Sequence, residues 1–245
     1  MQPRPDALAK ARWIVLALAV LALAMLLVSG PGTRFGLWPW QTGIALVSSG
    51  FFVGAAAAVG ALVLLLLLAF PRFRGRPGIA VLALCLALTA VVPPLILLGQ
   101  ATSLPPIHDI STDTADPPAF VGLLEERRKA PNGFAYGGEP VAAEQRRAYA
   151  DIKPLVVKSP PRETTQRAID AARSMGWEVV VADASTGRIE AIDTSTWFGF
   201  KDDVVIRVRA EGGGSRVDVR SVSRVGESDL GANAKRIKGF LAKLA

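Results

Sequence analysis

The sequence predicts a membrane α-helical region of three transmembrane helices, followed by a C-terminal α+β domain. In that domain an antiparallel meander of four to five strands carries two flanking helices on one face. Three observations carry the prediction. Three long apolar runs precede residue 100, in a chain whose 51% hydrophobic content is too high for one ordinary soluble domain. Charge divides between the halves: residues 1–100 hold seven Lys/Arg and one acid, Asp6, whereas residues 101–245 hold 21 Lys/Arg and 20 Asp/Glu. Four strand-like runs then lie between two helical patterns.

The spans are read at about 13–29, 43–70 and 79–99 within a membrane region 1–103. Each approaches or exceeds the roughly 20 apolar residues that cross a hydrocarbon core. The first resembles a signal peptide, but "VSGPG" is a poor cleavage site and two more spans follow, so an uncleaved anchor is expected. Arg4, Lys10 and Arg12 precede the first span, Arg34 alone lies in the next loop, and Arg72, Arg74 and Arg76 lie in the loop after that. No Lys or Arg follows the third span until Arg127. Basic loops stay cytoplasmic, so the chain runs in, out, in, out. The expected place is a bacterial inner membrane, multi-pass, with a cytoplasmic N-terminus and a periplasmic C-terminal domain. The net charge of +7 sits almost wholly beside the spans, which excludes nucleic acid as a partner.

The spans contain no Asp, Glu, Lys, Arg or His, which argues against a proton-coupled pump. Gly50, Gly54 and Ala58 recur every four residues, a small-residue face suited to packing within the three helices or to a homo-oligomer. Pro93 and Pro94 are expected to kink the third span or to end its regular part. Cys85 is the single cysteine and His108 the single histidine, so no disulfide and no His-based zinc site is expected.

Residues 104–153 read as a connector with one or two helices, and 154–245 as the periplasmic α+β domain. In the connector, Asp116 before Pro117-Pro118 signals a helix start, and "AAEQRRAY" a further short helix. "IKPLVVKSPP" is a short strand leading into the helix "RETTQRAIDAARSM", which Gly176 ends. "WEVVVADA", "GRIEAIDTST", "DDVVIRVRAE" and "SRVDVRSVS" are strands joined by the turns "DASTG" and "GGG". Alternation registers the last two: Val208 faces Val217 or Val219, and Arg207 or Arg209 faces Asp218. The face opposite the helices is then polar and basic. A last helix is expected to be capped by Ser228 or Asp229, with Leu230, Ala234, Ile237, Leu241 and Leu244 as its apolar face.

Three stretches hold the residue types of a site. "HDISTDTADPP" offers Asp109, Asp113 and Asp116 as weak oxygen ligands for a metal, although no loop template fits and the turn-and-cap reading is preferred. "TSTWFGFKDDV" offers Trp197, Lys201, Asp202 and Asp203, either for acid–base chemistry or for an apolar contact. "RSVSRVGESDLG" offers Arg220, Ser221 and Arg224 for an anion. The chain has no G-x-S-x-G, phosphate loop, dinucleotide fingerprint or H-E-x-x-H, and no cofactor is expected.

Four stretches carry a resemblance: His108–Pro118, Tyr149–Leu155, Lys201–Val208 ("KDDVVIRV") and Ser215–Ile237 ("SRVDVRSVSRVGESDLGANAKRI"). Over about residues 104–244 the chain resembles the bacterial membrane proteins grouped as domain of unknown function family 1499. It departs from that pattern at His108, where an asparagine-like residue is expected. The resemblance implies a conserved extracytoplasmic domain and no established activity, so no catalytic residue follows from it. The sequence thus leads to a non-enzymatic binding or assembly module of the cell envelope, touching the bilayer and an envelope protein or an anionic lipid or glycan. An envelope hydrolase or transferase using Asp202 or Asp203 stays open, as does a structural membrane subunit.

Overall fold

Three helices open the chain: α1 (Ala9–Arg34), α2 (Trp40–Leu68) and α3 (Gly78–Ser103). Each is long and apolar enough to cross a membrane, with mean hydropathy of 2.6, 2.7 and 2.7. The structure, a computed structural model, describes residues 8–73 and 75–245. Asp6 and the orienting residues Arg4 and Arg74 lie outside the described residues. The molecule divides into a helical unit, Met1–Gly99 with Thr196–Gly199, and a second unit, Gln100–Ser195 with Phe200–Ala245.

Small residues hold the helical unit together. Ala19, Ala57, Ala61, Ala83 and Ala87 form one buried cluster, while Phe52 and Leu66 point outward. Lipid is as apolar as leucine, so close backbone approach rather than hydrophobic burial is the gain here. Gly50 and Gly54 are spent on this packing: a Cβ would meet the Ala22 carbonyl at 3.1 Å and Val91 at 3.0 Å respectively. Arg12 is buried and donates to the Arg76 carbonyl (2.6 Å), which puts the start of α1 and the α2–α3 loop at one end of the unit. Pro93 and Pro94 do not end the third helix, which runs through both to Ser103. In hydrocarbon a broken helix would leave backbone polar groups unpaired, so the turns on either side carry it through.

In the second unit, β1 (Asp109–Ser111) is followed by α4 (Leu124–Lys129), α5 (Gly138–Ala148), β2 (Leu155–Val157) and α6 (Pro161–Ser174). The meander follows as β3 (Glu178–Asp183), β4 (Arg188–Thr194), β5 (Lys201–Glu211) and β6 (Gly214–Ser223), and α7 (Ala232–Leu244) closes the chain. The sheet is antiparallel in the order β1-β6-β5-β4-β3, and β2 also pairs with β6. The expected register holds: Val208 lies opposite Val217 and Arg207 opposite Asp218. Val204, Ile206, Val217 and Val219 face α6 and α7 across the main core, where Trp177 stacks on Phe240 at 5.4 Å.

Four expectations need correction. The second sheet face is not an open polar surface: Val205, Val222 and Ile192 pack there against Phe120 and Leu123 in a second core. Asp116 caps no helix. The buried carboxylate of Glu190 takes the N–H groups of Val121 and Leu123, both at 2.8 Å, so the chain stays non-helical until α4. The last helix begins after Gly231 (φ 78°), not at Ser228 or Asp229, although Asp229 still accepts from the N–H groups of Gly231 and Asn233. Leu230 precedes that helix and is exposed, and Phe240 fills the core in its place.

Candidate functional site

Apart from Lys201, the charged residues nominated by the sequence are ion-paired within the second unit, in two layers. Adjacent strand residues point to opposite faces, so Asp202 and Asp203 part. Asp202 meets Arg236 (2.6 Å), which also binds Asp193 (2.7 Å) and Ser221 Oγ (3.0 Å). Ser221 Oγ donates to Asn233 (2.6 Å). On the other face Asp203, with no exposure, receives Arg224 Nη2 at 2.7 Å and Arg127 Nη1 at 3.4 Å. Arg127 is equally buried and also donates to the carbonyls of Val222 and Ser223. Burial lowers its pKa from the ordinary guanidinium range, against the opposing pull of Asp203.

Arg220 is buried in a bidentate pair with Asp109 (2.9 and 2.7 Å), its guanidinium between the rings of Phe120 (5.4 Å) and Tyr136 (5.5 Å). Neither Arg220 nor Arg224 is therefore available as an open anion site. Asp109, Asp113 and Asp116 are likewise held in ion pairs. Asp113 meets Arg216 at 2.8 Å, and Asp116 meets Arg207 at 3.0 Å. Among the described residues no group of three or more His, Cys, Asp or Glu is placed to hold a metal ion. Lys201 opens β5 with its side chain exposed. Trp197 belongs to the helical unit, where its ring fills the space that a side chain at Gly30 would need, and Arg34 donates to the Thr196 carbonyl (2.9 Å).

"HDISTDTADPP" is structural. Its β1 segment pairs with β6, placing Asp109 opposite Val222 and Ser111 opposite Arg220. Thr112 continues the ladder, donating its N–H to the Val219 carbonyl and accepting the Val219 N–H on Oγ1. On the outer edge of β1 the buried side chain of Gln145 acts as one more strand residue: Oε1 accepts from Ser111 N–H (2.9 Å) and Nε2 donates to Ser111 C=O (2.6 Å). An exposed strand edge invites foreign pairing, and Gln145 blocks this one. The His108 carbonyl accepts from Ser223 N–H and from Asn233.

Two clefts remain. One, of about 500 Å³, is lined by Pro106, His108, Asp109, Asn132, Val141 and Glu227. Its polar groups are committed: Asp109 to Arg220, His108 Nδ1 to the Glu227 carbonyl (3.2 Å), and Asn132 to the carbonyls of Ser223 and Gly226. The other, of about 650 Å³, lies at the start of α7 between Leu104, Tyr149, Leu230, Gly231, Lys235 and Lys238. Tyr149 is 9% exposed, and its hydroxyl has no hydrogen-bond partner among the described residues. Burial, with Asp229 beside it, raises the pKa of that phenol, so it stays a neutral donor. Lys238 pairs with Asp151 (2.7 Å) and lies 6.0 Å from the Tyr149 ring. Sequence reasoning missed this cleft. Tyr149 stood out only as part of a motif, and Leu230 was placed in a core it does not reach.

The family model described as "Protein of unknown function (DUF1499)" matches residues 109–244, the stretch from the first residue of β1 to the last of α7. No curated protein matches the chain by sequence.

Proposed function

The chain belongs to DUF1499, a family of proteins of unknown function, and from that premise we propose that it is a membrane-anchored, non-enzymatic binding module. Three spans hold it in a bacterial inner membrane, and its α+β domain is displayed on the periplasmic side to an envelope partner. One observation carries the non-enzymatic reading: the acids that an envelope hydrolase would need are spent on the fold. Asp203 is fully buried against two arginines, and Asp202 is 8% exposed and held by Arg236. A general base has to reach the proton it abstracts, within hydrogen-bond distance of a bound substrate. A carboxylate closed in by guanidinium groups does not.

The two readings predict different behaviour for Asp203→Asn. A catalytic Asp203 gives a stable protein without turnover. A scaffold Asp203 leaves the buried Arg127 and the half-buried Arg224 uncompensated. Breaking a buried pair from one side costs about 3–5 kcal/mol. The expected outcome is a clear drop in the thermal midpoint of the purified full-length protein. A variant that melts with the parent protein would return the enzyme reading to first place.

A further inference from the structure

We propose that the cleft at the start of α7 seats the headgroup and glycerol region of one anionic phospholipid. This deepens the binding reading above and rests on it. The first observation is the Tyr149 hydroxyl, which is buried and has no partner among the described residues. Leaving a buried hydroxyl unpaired is costly, so a site that keeps one gains when a ligand oxygen arrives. Gly231 brings the hydroxyl and Leu104 together: a Cβ there would lie 3.4 Å from the one and 3.3 Å from the other. Tyr149 and Leu104 both line the cleft.

The second observation is charge. α7 carries Lys235, Arg236, Lys238 and Lys243 and no acid along its length. Arg236 is turned to Asp193 and Asp202 and Lys238 to Asp151, so Lys235 is the cation presented at the cleft. The first turn of the helix is already served by Asp229, so an anion is drawn to the lysine and not to the helix end. The third observation is apolar surface beside these polar groups. Leu104 and the 38% exposed Leu230 offer a wall for acyl carbons, and Leu104 is the residue that follows the last residue of α3. A ligand entering there combines an ester or phosphoryl oxygen for Tyr149, a negative charge for Lys235 and an apolar body. A cleft of about 650 Å³ is in the range that takes such a group.

The test uses the full-length protein in a neutral detergent, melted by tryptophan fluorescence with added phosphatidylglycerol, phosphatidylcholine or free glycerol phosphate. Tyr149→Phe and Lys235→Gln are compared with the parent protein. Lipid also touches the spans, so the quantity read is the part of each response that the two substitutions remove. Phosphatidylglycerol is expected to raise the midpoint of the parent most. In Tyr149→Phe its apparent affinity is expected to fall about fivefold, the loss of one net hydrogen bond. Without lipid Tyr149→Phe should melt no lower than the parent, since it removes an unpaired group. An unchanged phosphatidylglycerol response in both variants would overturn the proposal. So would a variant-sensitive response equal for phosphatidylcholine, or one matched by glycerol phosphate, which would assign the site to a soluble phosphate. A lower lipid-free midpoint for Tyr149→Phe would show the hydroxyl to be structural, also against the proposal. None of these failures touches the Asp203→Asn result, so the broader reading is judged separately.

Discussion

Tyr136 lies with its ring 5.5 Å from the Arg220 guanidinium, which Phe120 flanks as well. Burial pushes its hydroxyl from 10.0 up to about 12, and the nearby Asp109 adds to the shift while Arg220 opposes it. Burial also raises Tyr149. These are the chain's two tyrosines, so an ultraviolet titration reads them without interference from others. The folded protein is expected to show no ionisation step at pH 10, and denaturant should restore one. The folded pKa of Tyr136 is the higher one, so its contribution to stability is complete below pH 10 and is lost as the pH rises towards about 12. Tyr136→Phe should remove the Tyr136 share of that alkaline loss and leave the share of Tyr149. An ordinary titration near 10 in the folded protein would show that the ring is not buried against Arg220. The sequence singled out Asp203 for acid–base chemistry and Arg220 and Arg224 for an anion, and the structure places all three in ion pairs. Their partners were not legible, because Asp109 and Arg127 stand 111 and 76 positions away from Arg220 and Asp203 respectively.

Among the elements, β1, α4 and α5 show why the reading of 104–153 as a connector falls short of what that stretch does. β1 covers one part of β6 and β2 another, so the outer edge of β6 is protected along most of its length. α4 brings Arg127 to Asp203, and α5 brings Gln145 to Ser111. A three-residue strand such as β1 carries no periodicity of its own to be recognised by, and a helix of six residues such as α4 little more. The meander of β3–β6, with its long alternating runs and glycine turns, was legible strand by strand. A truncation tests the importance of the short elements. A fragment from Gln100 to Ala245 is expected to unfold cooperatively in denaturant, followed by circular dichroism. A fragment starting at residue 154 loses Asp109 from the buried Arg220 and Arg127 from Asp203, together with Phe120 and Leu123 from the second core. It is expected to show no cooperative transition. If both fragments melt alike, residues 104–153 contribute no more than a tether.

At the scale of the whole molecule the single cysteine makes the orientation simple to measure. With Cys85→Ser as background, Glu211→Cys marks the exposed β5–β6 turn and Arg76→Cys the loop between α2 and α3. A membrane-impermeant maleimide applied to intact spheroplasts is expected to label the first and spare the second, and the reverse would place the α+β domain in the cytoplasm. By itself the sequence determined which segments are long and apolar enough to cross a bilayer, because length and hydropathy are local properties that need no partner. It determined the meander and its register for the same kind of reason, since a slip of one residue would drive arginines into the core. Only the tertiary structure decided what the charged residues do. A carboxylate in a sequence is equally a base, a ligand or half of an ion pair. The choice is made by what the fold brings within 3 Å of it, and here that is arginine from distant parts of the chain. The same holds for Tyr149, whose hydroxyl finds no partner among the described residues.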